Sequence, residues 1–594
     1  MQSKVMIFYS DRLGDLDISI AKLIKFLGID YEYIHLNTFP DYQFVSGDTP
    51  REILAGAISC QELSNIDQRG LIDRFRSFLG ESVSYLLIYG VSPSTTESRA
   101  LNSLTDGIIE SVSPFENNNY SYEISGTFTE ICRHFSGISF RPINNEVDCR
   151  VNLRGGLSEI DNLISINGHP LFSKMRIGKC AVFLLATNKV LDIENKLSGE
   201  VNIRNYFSQI VPVMMFIKHV FKNSCWHNDS DQACLIIDDP LLQRNYGFLN
   251  YQELLRAMDH YNFFTTIAFI PWNYKRTSPK VAKLFREHSN RFSLCVHGCN
   301  HTKSEFGSTD DNELNNAAKV AEERMKYHQD ITGLRFDMVM VFPQGRFSTK
   351  SMKVLKSNNY LAAVNSGIIP TDIPNPLTVS CILEPAITNF ENFPLFPRRY
   401  PENVVDFAFD LFCGKAAFIV AHHDIFSKGY DKLGTFIRKI NELNENIQWR
   451  KLGDIIERSY LQKYEDDNTI SLRIYSSSAI IENTSDNVIT YSVTKHERGN
   501  VPIKAVNING ERAPFEIDNQ SINLSIQLKP KDWVRLEIVY QDSYPGYEKN
   551  HNAKENFKIF IRRRLSEIRD NYISRSKPLS FLLNRAQILK QIVQ

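Results

Sequence analysis

The stretch CLIIDDPLL, residues 234–242, decides how this chain is read. Leu235, Ile236 and Ile237 form a short apolar run suited to a buried strand, and Pro240 ends it, so Asp238 and Asp239 stand side by side at a strand end. Adjacent carboxylates repel. By itself such a pair reads as a solvated turn at a strand end, and its chemistry depends on what else the fold brings to it.

Outward from the pair, residues 233–462 alternate between two patterns. Short apolar runs (ACLIID, FFTTIAFI, FSLCVHG, DMVMVFP, LAAVNS, AAFIVAHHD) are separated by amphipathic stretches such as YQELLRAMDHY, SPKVAKLFREHS and NELNNAAKVAEERMKYHQDI. Such βα repetition predicts a parallel sheet or an α/β barrel, whose chemistry collects beyond the C-terminal ends of the strands. The other polar motifs of this region lie at such ends. His297 and His301 follow FSLCV at a spacing that lets two imidazoles converge on one ion, and Asp239 completes a two-histidine, one-carboxylate set suited to zinc or a similar divalent metal. One acid then binds the metal, and Asp238 is left as general base for water at the metal. MVFPQGRFS places Pro343 and Gly345 in a turn where a backbone N–H could face a developing oxyanion. FIVAHHDIF offers His422 or His423 as general acid, with Asp424 to orient it.

An acidic pair, H-x-x-x-H, P-x-G and a late strand-end histidine, in that order, resemble the polysaccharide deacetylase family of metal-dependent carbohydrate esterases. IPWNYKR, HGCNHTKSEFG and AHHDIF look like a branch of that family associated with exopolysaccharides. The resemblance covers roughly residues 233–462. It implies a distorted (β/α) barrel with Asp238 as base, Asp239, His297 and His301 as metal ligands, and His422 or His423 as proton donor. Two positions depart from the pattern. Proline follows the acids where the family commonly has glycine, and Val341 stands where an arginine usually precedes P-x-G; Arg346, Arg398 and Arg399 are the candidates to replace that charge. Trp272 and Tyr274, after another strand, are candidates to stack on a sugar ring, and Arg346 to bind substrate. Cys299, between the two histidines, reads as a packed or lining thiol.

Around this region, residues 1–225 begin strand, helix, strand (KVMIFY, SIAKLIKFLGI, YEYIHL) and read as a doubly wound α/β region of the Rossmann or flavodoxin kind. YGVSPSTTES lacks both the nucleophile-elbow and the phosphate-loop patterns, so the region receives no catalytic role. Residues 468–542 lose the helical period and read as a small β-sandwich. Residues 553–594 read as a basic amphipathic helical tail, with ten Lys and Arg against three Asp and Glu and with Ile561, Leu565, Ile568 and Tyr572 on one face. That pattern fits peripheral contact with an anionic membrane.

Basic and acidic residues balance at 68 each in 594 residues, which gives no global field for nucleic acid. The ten cysteines form no C-x-x-C pair and no dense framework. The N-terminus reads as a first strand and not a signal peptide, and no apolar run reaches the roughly 18 residues of a membrane span. The expectation is a cytoplasmic hydrolase removing N- or O-acetyl groups from a carbohydrate, a polysaccharide or lipid-linked glycan precursor. Two rivals stand beside it: a non-catalytic carbohydrate-binding or scaffolding protein on the same barrel, and a glycoside hydrolase pairing Asp238 with Glu384 or Asp424.

Overall fold

A computed structural model describes residues 4–10, 12–36, 53–115, 120–141, 147–155, 160–197, 203–497, 501–544 and 553–575. The end of the expected tail, 576–594, lies outside the described residues. The chain forms two compact units: Met1–His227 with Leu377–Leu383 and Gln462–Asp467, and the remainder.

The first unit is built on one nine-stranded sheet. Strands β1 (Lys4–Tyr9), β2 (Asp30–His35), β3 (Ile53–Ser59) and β4 (Val83–Tyr89) pair in parallel in the order β2-β1-β3-β4. One helix joins β1 to β2 and two join β3 to β4, as parallel pairing requires. The sheet continues with β5 (Tyr122–Ile124), β6 (Ser139–Phe140), β7 (Asp161–Ile166), β8 (His169–Ile177) and β9 (Cys180–Leu185). Here β9 adds in parallel to β4, and β8, β7, β5 and β6 follow as antiparallel neighbours. The doubly wound expectation therefore describes one half of the sheet, and short connections such as Gly178 between β8 and β9 turn the other half antiparallel.

The second unit holds the predicted barrel. Its strands β10 (Gln232–Asp238), β11 (Thr265–Phe269), β12 (Phe292–His297), β13 (Asp337–Val341), β14 (Ala362–Asn365), β15 (Leu395–Pro397) and β16 (Ala417–Ala421) run parallel in the order β15-β14-β13-β12-β11-β10-β16. One parallel bridge between Arg399 and Ile419 joins the two ends, so the sheet is a nearly closed barrel. Every residue of β10 and β16 is buried, which explains why these strands read as unbroken apolar runs instead of alternating ones.

The sandwich follows in the same unit. A five-stranded sheet containing Thr469–Ile474, Ile489–His496 and Ser521–Leu528 packs with a four-stranded sheet containing Ser478–Glu482, Ile503–Ile508 and Trp533–Tyr540. Leu472, Val493, Val506, Ile522 and Leu536 from both sheets form the shared core. Helix Ala553–Ile568 and the turn Arg569–Ile573 end the described chain. No helix among the described residues is long and apolar enough to cross a membrane.

Candidate functional site

Closure of the barrel brings the strand-end motifs together. Asp239 leaves β10 with φ at +76°, and His301 lies at +57°, so two of the three expected ligands occupy backbone conformations that non-glycine residues rarely adopt. His297 Nε2 and His301 Nε2 approach Asp239 Oδ1 to 3.2 and 3.0 Å. The three residues bring one ligand atom each within 4.8 Å of one another.

The hydrogen bonding shows what these atoms await. His297 Nδ1 lies 2.9 Å from the Val341 carbonyl, which can only accept, so Nδ1 carries the proton and a neutral His297 presents the bare lone pair of Nε2 to the carboxylate. Asp239 Oδ1 is buried and receives no hydrogen bond. Acceptors facing acceptors need a cation between them, either a proton or a metal. Burial pushes the His297 pKa down, but the Asp239 and Asp238 carboxylates beside the ring outweigh it and hold the net value above the ordinary one. Ligand atoms about 2.1 Å from a tetrahedral zinc ion sit roughly 3.4 Å apart. The contacts to Asp239 Oδ1 are close to that span, so the residues fit a small divalent ion.

The H-x-x-x-H loop is shaped from below. Glu305 accepts the backbone N–H groups of Cys299, Asn300 and His301 at 3.0, 2.7 and 3.2 Å. Arg324 donates to Asn300 Oδ1 at 2.7 Å and lies 5.0 Å over the Trp272 ring. A Cβ on Gly298, whose φ is +61°, would meet the Pro343 ring at 2.4 Å, so glycine lets the P-x-G turn press on the loop. Trp272 also donates its backbone N–H to Cys299, which makes it a wall of the ligand loop. Cys299 is buried as expected, and burial pushes its thiol far up, away from reactivity.

Asp238 is turned to a different task. Arg398 grips it with two bonds, 2.7 and 2.6 Å, and both side chains are only 4% exposed. Burial opposes the Asp238 charge, yet the guanidinium holds the carboxyl below its ordinary value. Alternation along the strand explains the selection among the three candidate arginines. Arg398 points inward to Asp238, while Arg399 points outward to Asp410 at 2.6 Å. Arg346 is exposed at the end of its turn and does not take this place.

The two late histidines diverge. His422 Nε2 is 4.0 Å from Asp238, and its ring stacks on Tyr400 at 6.3 Å. It opens on a cleft of about 440 Å³ lined by Tyr400, Glu402, His422, Asp424 and Lys428. His423 is buried, edge-on to Tyr246 and stacked with Phe248, with Nε2 3.6 Å from Asp570.

Several sequence expectations need correction. Asp424 is exposed and makes no ion pair with either histidine; the carboxylate beside His423 is Asp570, 147 positions later in the chain. In the P-x-G turn, the Gly345 N–H is bonded to Phe342 O at 3.1 Å and the Arg346 N–H to Pro343 O at 3.3 Å, so neither is free to face an oxyanion. Glu384 is engaged by Arg473 at 3.1 Å and by the Tyr475 hydroxyl, which removes it from any carboxylate pair with Asp238. Tyr274 faces Tyr327, with ring centroids 5.4 Å apart. Sequence reasoning missed Glu305, although an acid four residues after His301 in HGCNHTKSEFG was its available signal.

The C-terminal helix docks by its polar face. Arg563, Glu567 and Asp570 are buried, while Ile561, Leu565, Ile568 and Tyr572 are 42, 60, 47 and 72% exposed. Its polar face is docked and its apolar face is open.

No protein-family profile and no curated protein matches the chain. Similar solved structures include Agd3, a novel carbohydrate deacetylase, at 9% identity over 92% of this chain and 99% of that one, with a TM-score of 0.47. A family 4 carbohydrate esterase from Streptomyces lividans, in complex with acetate, is 10% identical over 38% of this chain and 94% of that one, with a TM-score of 0.24. A family pseudoenzyme from Bacillus anthracis is 10% identical over 39% and 66%, with a TM-score of 0.25.

Proposed function

We propose that this chain is a metal-dependent hydrolase that removes acetyl groups from a carbohydrate. The observation that carries the reading is the split of the acidic pair, with Asp239 turned toward two imidazole nitrogens and Asp238 held by Arg398 beside His422. Asp239, His297 and His301 would hold a divalent ion, zinc by the chemistry of the donor set, which supplies Lewis acidity and activates water when bound. Asp238 accepts the proton of the water that attacks the acetyl carbonyl. Arg398 keeps that carboxylate charged and oriented, at some expense of its basicity. His422, on the open side of the site, gives a proton to the departing amine or alcohol. The charge whose absence from P-x-G favoured a non-catalytic barrel is supplied by Arg398.

Elemental analysis of the purified protein, together with acetate release from a panel of acetylated glycans, tests this reading. Bound metal with acetate release supports it, bound metal without release returns the non-catalytic alternative, and turnover that resists chelation returns the glycosidase.

A second reading concerns place. The open face of the C-terminal helix, with Phe557, Phe560, Ile561, Leu565, Ile568 and Tyr572 exposed and Lys558, Arg562 and Arg564 among them, favours attachment of a cytoplasmic enzyme to an anionic membrane, where a lipid-linked glycan would be met. Salt-sensitive co-sedimentation with anionic liposomes, reduced by Leu565→Glu, is expected; equal, salt-insensitive partitioning of both proteins removes the membrane role.

A further inference from the structure

The docked face of the C-terminal helix reaches the neighbourhood of the candidate site through an unusual set of contacts. Asp570 is 4% exposed and has three partners: the Tyr246 hydroxyl at 2.7 Å, Arg569 Nε at 2.6 Å and His423 Nε2 at 3.6 Å. Its neighbour Asn571 accepts the backbone N–H of Gly247 at 2.8 Å. One turn earlier, Glu567 grips Arg276 with two bonds, one of them 2.8 Å, next to the loop that carries Trp272. Tyr246 and Gly247 belong to the hairpin 245–250, which follows the acidic pair by only a few residues.

These contacts converge on His423. A Cβ on Gly247, whose φ is +55°, would lie 2.3 Å from His423 Nδ1, so the hairpin backbone closes directly against the ring. Tyr246 and Phe248 enclose it on two further sides, with ring centroids 5.6 and 6.2 Å away, and Asp570 stands at the remaining nitrogen. His423 is thus held by the hairpin and the helix together, and the residue before it is His422, 4.0 Å from Asp238.

A simple dock for a terminal helix would bury apolar side chains, which stabilise without directional demands. This helix leaves its apolar face open and commits a buried carboxylate and an arginine–glutamate pair to the barrel. Such contacts add little net stability but fix geometry, because their partners must be met at defined distances and angles.

We propose that Asp570 is a positioning residue of the deacetylase site: by holding Tyr246 and His423 it fixes the hairpin 245–250 and the loop that carries His422, so that the C-terminal helix completes the site. The inference rests on the deacetylase reading. A misplacement of about 1 Å at a catalytic group can lower turnover on the order of a hundredfold without any contact between the mutated residue and the substrate.

The test compares full-length wild type with Asp570→Ala and the isosteric Asp570→Asn, following kcat, KM, metal content and hydrogen exchange. For Asp570→Ala, kcat falls on the order of tenfold to a hundredfold while KM and metal stoichiometry hold, and exchange rises in segments 245–250 and 422–426. Asp570→Asn, whose amide oxygen still accepts from Tyr246, recovers part of the loss and serves if the alanine variant does not fold. Wild-type kcat together with wild-type exchange in both segments overturns the proposal. If the wild type releases no acetate from any glycan, the deacetylase reading fails, and the exchange measurement alone decides whether Asp570 positions the hairpin and the His422 loop.

Discussion

Two α/β sheets in this chain carry buried acids at or beside their strand ends, and the two sets are satisfied in opposite ways. In the first unit, Asp17 accepts the Tyr89 hydroxyl at 2.5 Å and the Gly14 N–H at 2.8 Å. Glu62 accepts from Ser10 and Asn65, and Glu97 takes the N–H and hydroxyl of Ser92 at 2.7 and 2.6 Å. Each of these carboxylates faces donors within its own unit. In the barrel, Asp239 faces two imidazole nitrogens, one of which is left without a proton by the bond its ring makes to Val341. Buried acids as such are therefore a poor marker of function. The informative feature is the hydrogen-bond inventory: an acid whose oxygens are matched by donors holds no metal, and a set with too many acceptors is built for a cation.

The sharpest way to break this comparison is to remove one acceptor. Asp239→Ala, His297→Ala and His301→Ala are each expected to lose bound metal and with it all acetate release, because two protein ligands leave the first shell incomplete. Full metal occupancy by elemental analysis in all three variants would show that the surplus of acceptors has another meaning.

Next in size, Asp238→Asn is expected to keep the metal and lose turnover by about 10²- to 10⁴-fold, since an amide cannot take the proton from water. Near-normal acetate release in this variant would place the base elsewhere.

Arg398→Ala probes the pairing and the chemistry together. It leaves a buried carboxylate uncompensated, a change that typically destabilises by about 3–5 kcal/mol, and turnover falls with it while Asp239, His297 and His301 still hold metal. Denaturant unfolding that matches the wild type would mean that Asp238 is less dependent on its partner than its burial implies.

What the sequence disclosed, and what it hid, follows the range of the interactions involved. Apolar runs such as CLIID and FSLCV are local signals, so the barrel strands and the acids and histidines at their ends were legible. Arg398 was one of three candidates, because its partner lies 160 positions away and only closure of the barrel decides which of two adjacent arginines points inward. Asp570 was hidden more deeply, since its bond to Tyr246 spans 324 positions. In the tail, periodicity revealed two faces but not which one docks on the barrel, since the polar partners of Glu567 and Asp570 are remote in sequence. In the P-x-G turn, which N–H groups are taken up depends on φ at Gln344 and Gly345, which lie at +59 and +66°, so residue types alone did not report that those of Gly345 and Arg346 are bonded within the turn.

The smallest effect belongs to the other side of the comparison. Glu97 binds the N–H and the hydroxyl of Ser92 with one oxygen each, so Glu97→Gln keeps an amide oxygen for the N–H and presents an amide N–H that the Ser92 hydroxyl must rotate to accept. Both charge-assisted bonds become weaker neutral ones, which destabilises the first unit by about 1–3 kcal/mol. In a unit of this size each kcal/mol lowers the melting temperature by roughly 2–4 °C, so a drop of several degrees is expected in the corresponding calorimetric transition. Metal content and acetate release should be those of the wild type, because a closed network has no acceptor to spare for an ion. If Glu97→Gln lost metal or turnover while the unit kept its melting temperature, the hydrogen-bond inventory would fail as a guide to which acids are structural, and the first unit would have to be searched for a site of its own.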